Sequence, residues 1–151
     1  MINNTANFLT ALIKNNLRTM TFSTVTKDIR VSVQPVYLDD QSEPESAHYV
    51  WAYNVTIENK SDRPVQLINR YWHITDALGR IHEVRGPGVV GEQPVLKPGE
   101  SYNYTSGTSL KTASGIMLGN YEMQNPEKGD KFLIDIPAFS LDSPHEMSRA
   151  N

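Results

Sequence analysis

The chain has 151 residues, a net charge of −3 and no cysteine. That length supports one domain with a full core, and the 38% hydrophobic content places it among globular rather than disordered chains. The missing thiols exclude disulfides, a cysteine nucleophile and cysteine-based metal sites, and there is no apolar run of about 18 residues to form a spanning helix. Lys14, Arg18 and Lys27 are the only charges in residues 1–27, so everything beyond them is mildly acidic and no nucleic-acid partner is expected.

Residues 2–20 repeat at helical spacing. Ile2, Ala6, Leu9, Leu12, Ile13, Leu17 and Met20 share one arc of the wheel, with Asn7, Lys14 and Arg18 opposite. Asn16 intrudes on that arc and Phe8 lies outside it. Five Asn among the first sixteen residues weaken a helix standing alone. Four readings compete: docking on the body, engaging a partner, an import sequence, or a frayed extension. The charged start and continuous apolar centre of a secretory signal are missing. The expectation is a loosely held arm over 1–27. Met20 is an alternative natural start, because Met20-Thr-Phe-Ser-Thr leads straight into the first strand.

From Asp28 the period changes to two. Ile29, Val31 and Val33 alternate with polar residues, and Pro35 marks an edge or bulge. Residues 39–45 read as a loop. Tyr49, Trp51, Tyr53, Val55 and Ile57 form one face of the clearest strand. In Pro64 to Thr75, Val65 and Leu67 take one parity, while Ile68, Trp72 and Ile74 take the other. A bulge near Asn69 and Arg70 reconciles them. Arg80 to Val84 follows the turn Asp76-Ala-Leu-Gly79. Lys97-Pro-Gly-Glu100 has the residues of a type II turn. Ser101 to Ser106, Ile116 to Met123 and Lys131 to Ile136 complete about seven strands with no helix between them. This predicts an all-β sandwich of immunoglobulin or fibronectin III type, with Trp51 or Trp72 as core anchor. The expected division is 1–27 extension, 28–142 sandwich and 143–151 polar tail.

Gly86-Pro-Gly88-Val-Val-Gly91 has the Gly-x-Gly-x-x-Gly spacing. A dinucleotide cradle needs a helix after it, with amides facing the pyrophosphate. Here Glu92-Gln-Pro94 follows, so no helix starts, and Pro87 removes an amide. The better reading is a tight loop between strands with left-handed glycines. A backbone anion nest at Gly88 to Gly91 stays open. As candidate binding residues we take Arg85, Gly86, Gly88, Val90, Gly91, Gln93 and Pro94 from this loop, with Tyr104, Ser106 and Gly107 from the next strand.

The chain has four histidines. If the hairpin closes through Asp76-Ala-Leu-Gly79, Thr75 faces Arg80 and His73 faces His82, close enough for two imidazoles to share one metal ion. Two ligands make only a weak, promiscuous divalent site. No cofactor is expected. No serine-hydrolase motif, Walker motif or acid/base dyad is visible, so no catalytic residue is assigned and the chain reads as a non-enzyme.

The glycine loop is joined by Val50-Trp-Ala-Tyr-Asn-Val-Thr-Ile57, Pro64-Val-Gln-Leu-Ile-Asn-Arg-Tyr-Trp72, Gly115-Ile-Met-Leu-Gly-Asn-Tyr-Glu-Met123 and Phe132-Leu-Ile-Asp-Ile-Pro137. Together they resemble the ApaG family over residues 28 to about 142. Gly88, Val90, Gly91, Gln93, Pro94, Pro98, Gly99, Tyr104, Ser106, Gly107, Gly115, Gly119 and Tyr121 match its signature. The resemblance implies a fibronectin III-like sandwich and a single-domain cytoplasmic protein. It also implies a link by name and genetics to cobalt tolerance and magnesium efflux. The same domain in eukaryotic F-box proteins and a polymerase-delta-interacting protein implies a protein-interaction module. His73, His82 and the long start fall outside the signature. The expected function is therefore a noncatalytic module that binds a protein partner, as monomer or homodimer and without membrane insertion. An accessory or sensor protein in divalent-cation homeostasis is the alternative.

Overall fold

The computed structural model describes residues 4–15 and 20–146. Two antiparallel sheets face each other. One runs in the order β1 (Phe22–Thr26), β2 (Ile29–Tyr37), β3 (Tyr49–Asn59) and β7 (Ser101–Leu110). The other runs β5 (Ile81–Pro87), β4 (Val65–Asp76), β8 (Gly115–Gln124) and β9 (Lys131–Leu141), and the two-residue β6 (Val95–Leu96) also pairs with β4. The expected all-β sandwich is what forms.

The alternation in β3 sets the core. Trp51, Tyr53, Val55 and Ile57 are buried on the inner face, against Trp72, Ile74, Met117, Tyr121, Ile134 and Phe139 of the opposite sheet. Burial of each such side chain contributes about 1.5–3 kcal/mol. Both tryptophans are core anchors, and the Trp51 indole N–H donates to the Asp142 carbonyl at 2.8 Å.

The sandwich starts at Phe22, earlier than expected, because Lys27 (φ 49) and Asp28 (φ 63) form a left-handed two-residue turn that folds β1 back on β2. Residues 22–27 therefore belong to the domain and not to the extension. The C-terminal boundary shifts too. Ser143 is buried and its hydroxyl donates to the Ala113 carbonyl at 2.6 Å, and the His145 ring contacts Tyr37 and Tyr49. A 3₁₀ turn at Asp39–Gln41 and another at Pro44–Ser46 occupy the predicted loop.

The helix α1 (Asn4–Asn15) does form, and it docks on the outer face of the first sheet. Its buried side meets the predicted arc only at Leu12, which packs partly buried against the sheet. Phe8 is 4% exposed and Ala11 is buried, packed on Val36, Leu38 and Ala52, whereas Leu9 is 53% exposed and Ala6 is exposed. The sheet presents Val36, Leu38 and Ala52 there, with Val50 beside them, and the Phe8 ring covers them. The expectations for Ile2, Leu17 and Arg18 fall outside the described residues.

Candidate functional site

The site is built by a bulge in β4. Pairing with β8 shifts register between Leu67 and Asn69, one residue earlier than expected. Beyond it, Arg70 has the parity of Trp72 and Ile74, so its side chain faces inward, opposite Tyr121 on β8 and Gly86 on β5. No charge-based reading of the sequence selects this arginine. The available signal was its even spacing from Trp72.

Arg70 holds the glycine loop. Its Nη1 donates to the carbonyls of Pro87 and Gly88, both at 2.9 Å. Gly86 makes this possible, since a Cβ there would stand 3.0 Å from Nη1 and Nη2. Two further ties join the loop to Ile68. The Gly88 amide donates to its carbonyl at 2.8 Å, and Gln93 Nε2 donates to the same oxygen at 2.9 Å. The Leu67 amide donates to the Pro94 carbonyl at 3.0 Å. Gly88 is left-handed, and a Cβ on it would lie 2.3 Å from the Glu92 carbonyl oxygen.

The loop tip is itself a tiny hairpin. Val89 and Glu92 exchange both backbone hydrogen bonds, at 2.8 and 2.9 Å, around Val90 (φ 47) and Gly91 (φ 79). Two consecutive left-handed residues define a type I′ turn. Val89 is buried in the core and pins the turn, while Val90 points away, 58% exposed. A β-branched side chain in this region of φ is a genuine outlier. No helix follows the glycines, and the Gly88, Val89 and Glu92 amides are spent within the protein. The nucleotide-cradle reading has no support.

Tyr104 and Ser106 lie on the inner face of β7. The Tyr104 and Tyr121 hydroxyls are hydrogen-bonded to each other, and Tyr53 lies directly opposite Ser106 in the β3–β7 ladder. Burial pushes the phenols of Tyr53, Tyr104 and Tyr121 above their ordinary range, with Tyr104 raised well above it; Arg70 opposes the rise in each case. All three are therefore neutral at physiological pH. Arg70 thus links loop residues and β7 residues that the sequence suggested separately.

Two candidates sit elsewhere. Arg85 is on the outer face of its sheet, its guanidinium 4.2 Å from the centre of the Tyr71 ring, at a hollow of about 390 Å³ that Arg70, Gly86, Asn120 and Glu122 also line. Gly107 is on the outer face of the other sheet, opposite Ala52. The predicted histidine pair does not meet. The hairpin places His73 opposite Glu83 and His82 opposite Ile74, so the imidazoles are on opposite faces. The reason is a loop of different geometry. Asp76 pairs with Arg80, and Gly79 (φ 81) takes the left-handed position of a three-residue connection. Among the described residues no three histidine, aspartate or glutamate side chains gather to hold a metal ion, and no helix is long and apolar enough to cross a membrane.

Residues 39–125 match the family model of the ApaG domain. Protein ApaG of Parvibaculum lavamentivorans is 64% identical over 124 residues, covering 82% of this chain and 95% of that protein. Protein ApaG of Paramagnetospirillum magneticum is 64% identical over 130 residues, covering 86% and 99%. The crystal structure of the ApaA protein of Bordetella pertussis superposes with a TM-score of 0.74 at 47% identity, over 78% of this chain and 94% of that one. With the matched region spanning β3 to β8, the glycine loop and the Tyr104–Tyr121 pair alike, this chain belongs to the ApaG family.

Proposed function

We propose that the protein is a noncatalytic binding module that engages a protein partner through the tip of its glycine loop. Val90 carries the reading. It is an exposed apolar side chain, held in a strained left-handed conformation on a turn that Arg70, Gln93 and Val89 brace from behind. Asparagine or glycine suits such a turn better, so valine here is explained by what its side chain touches outside the fold. A rigid apolar knob is also the kind of group that loses little entropy on binding.

The test is capture of partners from lysate of the source cell by the full chain and by Val90→Asn. Asparagine accepts the left-handed backbone, so the fold is kept and only the apolar knob is lost. A specific partner retained by the wild type and lost by a folded Val90→Asn protein supports the reading. Partners held equally by both proteins reject the loop tip as the contact.

A further inference from the structure

The Arg70 guanidinium does more than the loop requires. A bolt for two carbonyls needs only one NH₂ group, and Gln93 already shows an amide doing similar work at Ile68. Arginine has five N–H donors, and Nη1 uses its two. The remaining edge, Nε–H with Nη2–H, bonds to no described residue. Nor is it sealed off, since neither nitrogen is among the buried atoms without a partner. That edge is the one that grips a carboxylate with two parallel hydrogen bonds.

The charge is also uncompensated. Among the described residues no carboxylate pairs with Arg70. On the inner face its ionisable neighbours are Tyr53, Tyr104 and Tyr121, which burial keeps neutral, while Glu122 lines the same hollow as Arg70 but forms no ion pair with it. A half-buried cation without a counter-charge is unfavourable, and an incoming anion relieves it. The residues directly paired with Arg70 supply no counter-ion, since Gly86 on β5 has no side chain and Tyr121 on β8 is neutral.

We propose that the free Nε–Nη2 edge of Arg70, on β4 beside the edge strand β5, is a subsite for a carboxylate of the partner protein. This deepens the binding-module reading and rests on it only for the source of the carboxylate. The partner then presents an acidic side chain beside an apolar patch, the first for Arg70 and the second for Val90.

The experiment follows the arginine Nε–H resonances of the full chain by NMR. Arg70 is identified by its proximity to the Gly86 α-protons, so no variant is needed. The probes are N-acetyl-aspartate amide, its isostere N-acetyl-asparagine amide, and inorganic phosphate. We expect a saturable downfield shift confined to Arg70 with the aspartate probe, in the millimolar range for so small a ligand. The asparagine probe should bind at least about tenfold more weakly, because the charged pair is the stronger one. No shift with the aspartate probe, equal shifts at all arginines, or a response to phosphate alone overturns the subsite. Partner capture that is lost in Val90→Asn while the titration is silent rejects only the subsite. A positive titration with capture indifferent to Val90 rejects only the loop-tip reading.

Discussion

Replacing Val90 by asparagine should make the protein more stable while making it a poorer binder. The left-handed region costs an L-residue about 1–2 kcal/mol, and a β-branched one sits at the high end. Asparagine recovers much of this through local hydrogen bonds of its short side chain. Against that gain stands lost burial. Val90 is already 58% exposed, so the loss is confined to about 0.6–1 kcal/mol. The net is a stabilisation of about 0.5 kcal/mol, equivalent to a rise in Tm of about 1–2 °C for a chain of this size. Thermal melts by circular dichroism, with urea unfolding to confirm an unchanged slope, measure it. Val90→Ala is the control, since it removes the branch but keeps most of the backbone penalty. A Val90→Asn protein that melts below wild type, or no higher than Val90→Ala, would refute the claim that strain is stored at this tip.

Three further outcomes follow from the packing. Gly119→Ala should cost about 3 kcal/mol or more, because its Cβ would lie 2.0 Å from the Tyr71 carbonyl oxygen between two central strands, whereas Gly99→Ala, left-handed but with open space around it, should cost about 1 kcal/mol; chemical denaturation of both gives the ratio. Asn59→Ala should cost about 2–3 kcal/mol and lower the Tm, since its 1%-exposed side chain donates to the Arg63 and Leu96 carbonyls and accepts from Ser61, leaving those carbonyls unsatisfied. The buried phenols set the alkaline limit: their folded pKa lies above the unfolded value of about 10, so their contribution is intact below that pH and is lost as the pH rises toward the folded pKa. Absorbance at 295 nm should show Tyr53, Tyr104 and Tyr121 ionising only as the protein unfolds, and early ionisation of all seven tyrosines would contradict their burial.

Much of the sandwich was legible in the sequence because burial on one face writes itself into a strand. The run from Tyr49 to Ile57 is the clearest case. β1 was missed for the same reason in reverse: Phe22, Thr24 and Thr26 are only half-buried at a sheet edge, so no apolar alternation appears. The helix was found but its docking side was misjudged, since Phe8 and Leu9 are equally apolar on a wheel and only the shape of the receiving sheet separates them. The histidine pairing failed on a loop whose geometry is set by Asp76, which accepts from the Leu78 and Arg80 amides. The binding candidates from the glycine motif do cluster, except Arg85 and Gly107. Arg70, which ties them together, was hidden by a bulge expected at Asn69 and Arg70 themselves, where the face of a side chain is undefined, although Trp72 and Ile74 beyond it were placed on the correct face.

The pairing order also bears on how the chain is made. β1 packs beside β9, and the Thr26 hydroxyl accepts from the Asp135 amide across more than a hundred residues of sequence. The apolar faces of β1 to β3 thus wait for partners that leave the ribosome much later. Closure of this core is a late event, dominated by non-local contacts, and folding of that type is slow. While it waits, the nascent chain exposes strand edges to other nascent chains. A truncated or stalled translation product should therefore be a chaperone client or an aggregate rather than a smaller folded domain.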